Sequence, residues 1–208
     1  MGKIDSGING PVRGKVGTVV GAVWKDIAYV RSRPSKPKNR TEGQLQLQSR
    51  FSLITGWLKP FKPFTALGLM NYSGRMTAYN AAYSLNHSLY PESPEQIAEI
   101  DYSRMILSDG SLKQAENVDL ELIEDHSLQL TWSSPFSAAD TDELLLLLYS
   151  AELGESDHLK GGVLRRDGRC LFRYTEQFKG MQVAIFIGFV SRDRKKASRS
   201  QYLGKISI

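Results

Sequence analysis

The side chains best suited to chemistry are few and scattered in this sequence. Gly10-Pro11-Val12-Arg13-Gly14-Lys15-Val16 approaches a phosphate-binding loop. That loop needs four residues between its glycines and a hydroxyl after the lysine. Here three residues intervene and a valine follows, so the pattern fails twice. Neither a Gly-x-Ser-x-Gly elbow nor a His-Glu-x-x-His pair occurs, and His87, His126 and His158 stand far apart. Cys170 is the only cysteine and sits between Arg169 and Arg173. Cations lower a thiol pKa and could make it reactive. The competing reading is a small apolar strand residue. The carboxylates in the middle of the chain show no spacing that makes an acid–base dyad. The expectation is no catalytic residue, no metal ligand and no cofactor, hence no enzyme.

Charge layout is more informative. The chain has 208 residues and a formal net charge of +5, with 41% hydrophobic and 24% charged residues. That composition excludes a collagen, a long disordered chain and a disulfide scaffold. Residues 1–75 hold 13 Lys and Arg against three acids, a net of +10. Residues 76–160 hold three bases against 16 acids, a net of −13, and residues 161–208 return to +8. Such a field orients encounters. Arg13, Lys15, Lys25, Arg31, Arg33, Lys36, Lys38, Arg40 and Arg50 could neutralise an acidic partner or phosphates, with Trp24 and Tyr29 available for stacking. The basic end of one copy could equally meet the acidic middle of another. Met1–Gly21 has no apolar leader core, and the longest strongly apolar run, Leu144–Tyr149, is far too short to span a bilayer. The expectation is a soluble cytoplasmic protein with no membrane span.

The elements that must position these residues fall into two textures. Residues 1–11 are Gly-rich and read as an arm. From Lys15 to Arg33, β-formers alternate, with Val16, Thr18, Val20, Ala22 and Trp24 along one side. Lys25-Asp26 is a plausible tight turn, so this stretch predicts a β-hairpin. Pro34–Arg40 is an extended basic linker. Thr41 and Gln44 have capping-box spacing. Leu47, Phe51, Ile54 and Leu58 then form one expected buried stripe, which Pro60 ends. A second helix is expected over Thr77–Leu89, burying Tyr79, Ala82, Tyr83 and Asn86, and a short one starting at Ser93-Pro94-Glu95-Gln96.

After about residue 100 the period turns to two. Strands are expected over Asp101–Leu107, around Val118–Leu122 and Leu128–Trp132, and over Glu143–Ala151, Met181–Val190 and Tyr202–Ile208. A hairpin is expected from Gly162–Arg166 and Arg169–Tyr174 about Asp167-Gly168. Seven to eight short strands suit a small β-sandwich. The predicted fold class is α+β, with an N-terminal β-hairpin plus helices over 1–100 and an antiparallel β-sandwich over 101–208.

Two resemblances add to this. Leu128-x-Leu130-x-Trp132, Val183-x-Ile185-x-Ile187-x-Phe189 and Ser198-Arg199-Ser200 resemble a fibronectin type III-like (Ig-like) sandwich over residues 117–208. Gly14-Lys15-Val16-Gly17, Trp24-Lys25, Tyr29–Pro34, Gln44 with Arg50-Phe51, and Ser198-x-Ser200-x-Tyr202-x-Gly204 resemble a Bacteroidota family of about 200-residue proteins of unknown function. The resemblance implies no activity, and it implies that both halves are inherited together. The expected function is a non-enzymatic interaction or assembly protein, with a protein partner or self-association. The alternative is a nucleic-acid-binding protein using the basic hairpin and linker.

Overall fold

A computed structural model describes residues 2–3, 13–24, 27–35, 39–72, 74, 76–91, 100–123, 126–159 and 161–208. The chain forms two compact units, residues 1–47 and 48–208.

The first unit is built on a four-stranded antiparallel sheet of β1 (Gly2–Lys3), β2 (Gly14–Val16), β3 (Val19–Trp24) and β4 (Ile27–Ser32), in the order β1-β4-β3-β2. The predicted hairpin is present, with Trp24 paired to Ile27. The turn assigned to Lys25-Asp26 lies outside the described residues. Lys15–Trp24 is not one strand, however. The chain reverses at Gly17-Thr18, where Gly17 takes a φ of +57° that a side chain would strain. Val16 therefore pairs with Val19 and leaves the face of Val20, Ala22 and Trp24, against the expected alternation. The expected N-terminal arm also differs, since Gly2 and Lys3 pair with Val30 and Tyr29.

Helix α1 (Glu42–Leu58) begins with the expected capping box. The Thr41 N–H donates to Gln44 Oε1 at 3.2 Å, and the Gln44 N–H donates to Thr41 Oγ1 at 3.4 Å. The expected stripe is only half buried. Ile54 and Leu58 are buried with Trp57, but Leu47 is 71% exposed and Phe51 53%. All four lie on one side of the helix, as the spacing requires. The apolar partners simply stop short of the N-terminal turns, and Phe51 rests against Tyr83 with ring centroids 5.0 Å apart. Pro60 ends α1 in a 3-10 turn, Lys59–Phe61, which runs into α2 (Lys62–Gly68), a helix the sequence reading did not foresee. Helix α3 (Ala78–Asn86) starts on Thr77, whose hydroxyl accepts from the Asn80 N–H, and buries Ala81, Ala82 and Asn86, with Tyr79 and Tyr83 half-buried. The helix expected at Ser93–Gln96 lies outside the described residues.

Seven strands make the sandwich. One sheet contains β5 (Glu116–Ile123), β6 (Ser127–Ser133) and β9 (Arg169–Arg173) in the order β5-β6-β9. The other contains β7 (Glu143–Ser150), β8 (Glu155–His158), β10 (Gln182–Val190) and β11 (Gln201–Ser207) in the order β11-β10-β7-β8. Strand β8 was not foreseen. Between the sheets, Leu144, Leu146 and Leu148 of β7 and Val183, Ile185, Ile187 and Phe189 of β10 pack on Leu128, Leu130, Trp132, Cys170 and Phe172. The opposite faces of β7 and β10 carry Leu145, Leu147, Tyr149, Ala184, Phe186 and Val190, which pack on Ile54, Trp57, Leu58, Phe61 and Phe64. The four-stranded sheet is thus a middle layer, covered on both sides. That explains why β7 and β10 read as continuous apolar runs rather than alternating ones. Ile54, Trp57, Leu58, Phe61, Phe64, Tyr90 and Ile100, grouped by sequence with the basic N-terminal half, share this core.

Two expected strands are absent. Asp101–Leu107 contains a 3-10 turn, Tyr102–Arg104, capped by Asp101. Side chains rather than a ladder satisfy Ile106 and the Leu107 N–H. Buried Asn86 accepts from the Ile106 N–H at 2.8 Å and donates to the Ile106 carbonyl at 2.9 Å, while the Leu107 N–H donates to Ser200 Oγ at 3.1 Å. Asn86→Ala would leave both Ile106 groups unpaired. It is expected to cost about 2–4 kcal/mol in urea unfolding, whereas an effect within 0.5 kcal/mol would remove that role. Gly162–Arg166 is likewise no strand, because a 3-10 turn, Arg165–Asp167, replaces it. Gly168 closes that turn at φ +62°, and β9 pairs with β6 instead.

Candidate interaction surface

The basic and aromatic residues singled out in the sequence are sorted by the pairing of the first sheet. Paired residues share a face, and alternate residues along a strand share it too. Lys15, Val20 and Arg31 form one cross-strand row, Ala22 and Tyr29 the next, and Trp24 and Ile27 the third. Arg33 continues the ladder past β4, its N–H donating to the Thr18 carbonyl at 2.8 Å. Lys15, Arg31 and Arg33 are exposed, Trp24 is 48% exposed and Tyr29 is half-buried. Among the described side chains, one face of the sheet therefore gathers three cations and two aromatic rings. No carboxylate belongs to the described residues between Arg13 and Ser35. The other face carries Val16, Val19, Val23, Ala28 and Val30, with no charged strand residue among the described ones.

The remaining candidates lie outside strands β2, β3 and β4. Arg13 precedes β2 and Arg40 precedes α1, both exposed. Arg50 is half-buried on α1, where its guanidinium donates to the Tyr90 carbonyl at 3.4 Å. Lys25, Lys36 and Lys38 lie outside the described residues.

Within residues 13–47 no described side chain is buried, and the only buried residue is Gly21. The start of α1 shares this exposure, with Leu45 and Leu47 both more than 50% exposed. Soluble proteins rarely leave apolar residues so concentrated without use.

A second polar surface lies on the outer face of the three-stranded sheet. Val118 and Leu120 of β5 turn toward the inter-sheet core. Glu116, Asp119 and Glu121 pair with Ser133, Thr131 and Gln129, and all three carboxylates are exposed on the opposite face. On the far side of β6, the exposed residues of β9 are Arg169, Leu171 and Arg173. The face thus runs from acidic at one edge to basic at the other. Charged residues on edge strands also discourage uncontrolled pairing.

The groups with possible reactivity are held elsewhere. Cys170 is buried between the sheets, and burial pushes its thiol up to about 11, away from a reactive thiolate. His87 stacks on Tyr83 at 5.6 Å, and His126 lies edge-on to Tyr174 at 5.9 Å. His158 contributes to a cleft of about 270 Å³ whose lining also includes Phe64, Leu67, Leu145, Leu159 and the paired Glu143 and Arg194. No helix among the described residues is long and apolar enough to cross a membrane.

A family model described as "Family of unknown function (DUF6266)" matches residues 11–204, from the first sheet through β11. The chain belongs to that family. No curated protein matches this DUF6266 member. Its similar solved structures include the fn3 domain of human collagen alpha-1(XX) chain, with 16% identity over 48% of this chain and 90% of that one, at a TM-score of 0.37. Domains d3-d4 of the rat CD45 extracellular region align at 10% identity over 49% of this chain and 52% of that one, with a TM-score of 0.35. The FN1-FN3 domains of chicken CNTN1 align at 8% identity over 49% and 32%, with a TM-score of 0.36. The DUF6266 chain thus spans about half and about a third of the latter two.

Proposed function

We propose that the protein is a non-enzymatic interaction or assembly module, and that the first unit, from β2 to the turn of α1 that carries Leu45 and Leu47, is its binding surface. The uneven placement of exposed apolar side chains carries this reading. Among the described residues 13 large hydrophobic side chains stand exposed, and six of them lie between Val16 and Leu47. Surface apolar residues are ordinary when scattered and informative when gathered. A sheet with no buried side chain gains most by covering one of its faces.

A photo-crosslinking amino acid placed at Leu45 or Leu47 of the full chain in cells is the test. Discrete adducts from both positions are expected, with none from Phe136, which is fully exposed but outside the first unit. No adduct at Leu45 or Leu47 would sink the reading. Nucleic-acid binding is the second reading, favoured by Lys15, Arg31, Tyr29 and Trp24 sharing one face. Adducts carrying nucleic acid rather than protein would support it instead.

A further inference from the structure

We propose that the partner is a second copy of this chain, and that the basic face of the N-terminal sheet of one copy docks on the acidic face of β5 of the next. The inference rests on the interaction reading above and names its partner.

The two strips match in sign, exposure and spacing. Arg31 and Arg33 stand two residues apart along β4 and its continuation, with Lys15 across the sheet from Arg31. Asp119 and Glu121 stand two residues apart along β5, with Glu116 beyond them on the same face. In both strips the strand period sets a repeat of about 7 Å, so two successive cations can face two successive carboxylates. Asp119 also accepts from the Leu120 N–H at 2.9 Å, which holds its carboxylate against the strand edge. The cations on the same sheet face, Arg169 and Arg173, lie across β6 at about two strand spacings, or 10 Å, and do not neutralise β5 by contact.

The charge blocks extend this match beyond contact distance. The segment carrying the basic face has a net charge of +10, and the segment carrying β5 has −13. Opposite fields of this kind orient two molecules before they touch. A nucleic acid would use the cations of the first sheet and leave the carboxylates of β5 without a role. One contact between copies uses both. Because the two surfaces differ, each copy offers both sides of the contact, which can repeat from copy to copy or be exchanged reciprocally within a pair.

Sedimentation of the full chain across concentration and ionic strength tests the proposal. The wild type is expected to self-associate at low salt and to fall to monomer at high salt. Arg31→Glu/Arg33→Glu and Asp119→Lys/Glu121→Lys should each weaken association by about tenfold or more, because each leaves like charges facing. Mixing the two variants should restore it, since each then offers the surface the other lacks. Arg31→Gln/Arg33→Gln replaces the first variant if reversal unfolds the sheet, with loss of association still expected. A monomer under all conditions overturns the proposal. So does association that ignores both reversals, although that result leaves the broader assembly reading standing. Salt-sensitive binding of oligodeoxythymidine by a monomeric wild type, lost in Arg31→Glu/Arg33→Glu, overturns it in favour of nucleic acid.

Discussion

Arg165→Ala is expected to destabilise the protein by about 3–5 kcal/mol, because it strands a buried carboxylate. Arg165 is fully buried, and its Nε lies 3.2 Å from Asp142 Oδ2, itself in a side chain only 3% exposed. Its Nη2 donates to the Lys113 carbonyl at 2.7 Å, and the guanidinium sits 3.7 Å over the Phe189 ring. The backbone joins the same pair, the Arg165 N–H donating to the Asp142 carbonyl at 2.7 Å. Two charges taken out of water attract each other strongly but forfeit hydration, so the pair is worth little compared with apolar replacements. Removing one partner is what costs. Arg165→Met/Asp142→Leu should therefore be less destabilised than Arg165→Ala, despite changing more.

The pH dependence has a definite sign. Burial holds the Asp142 carboxyl above its usual range, with Arg165 opposing that shift, and burial pushes the Arg165 guanidinium below its own. A carboxyl raised in the folded state binds its proton there before the unfolded chain does. Its charge therefore opposes folding above the raised value, and the penalty fades as pH falls through that value toward the ordinary carboxylate range. Without Arg165 the penalty is larger. The deficit of Arg165→Ala, measured by urea unfolding, should be greatest at neutral pH and should shrink on acidification. A deficit independent of pH would mean that Asp142 finds solvent or another cation.

Trp132→Ala is expected to cost about 3–5 kcal/mol, from lost burial and the cavity left between the sheets. Trp132 is 6% exposed, meets Phe189 edge-on at 5.9 Å and donates its indole N–H to the Arg165 carbonyl at 2.9 Å. Trp132→Phe keeps much of the packing and loses the hydrogen bond, so it should cost about 1–3 kcal/mol. A shift below about 1 kcal/mol for Trp132→Ala in denaturant unfolding would remove the residue from the core. Trp132 and Arg165 both touch Phe189, so their substitutions should not add.

Much of the sandwich was legible because strand periodicity is local. Leu128-x-Leu130-x-Trp132 names its buried face directly, and all three side chains are buried. The capping box of α1 is equally local, being two side chains three residues apart. The strand expected at Asp101–Leu107 failed for the complementary reason. Its alternation was real, but Asn86 supplies the polar partners that a neighbouring strand would have supplied. In Gly162–Arg166 the backbone was drawn into the turn that buries Arg165, and no spacing announces a buried guanidinium.

The candidate surface was legible in composition but not in arrangement. Lys15, Tyr29 and Arg31 are readable as basic and aromatic, yet their common face depends on the reversal at Gly17-Thr18. One residue of register would send alternate side chains to the opposite face. The carboxylates of β5 were visible only as part of an acidic block. Their alignment opposite Val118 and Leu120 gives them a shared outward face.

By itself the sequence determined the segregation of charge, the alternation of helical and strand texture, and the side of α1 on which Leu47, Phe51, Ile54 and Leu58 fall. These follow from side-chain identity and from the periods of 3.6 and 2 within single elements. Only the tertiary structure decided that burial on α1 begins at Ile54, that β7 and β10 are covered on both faces, and that Arg165 and Asp142 meet in the interior. A period says which residues share a side. What lies against that side depends on contacts between residues distant in the chain, which no local spacing encodes.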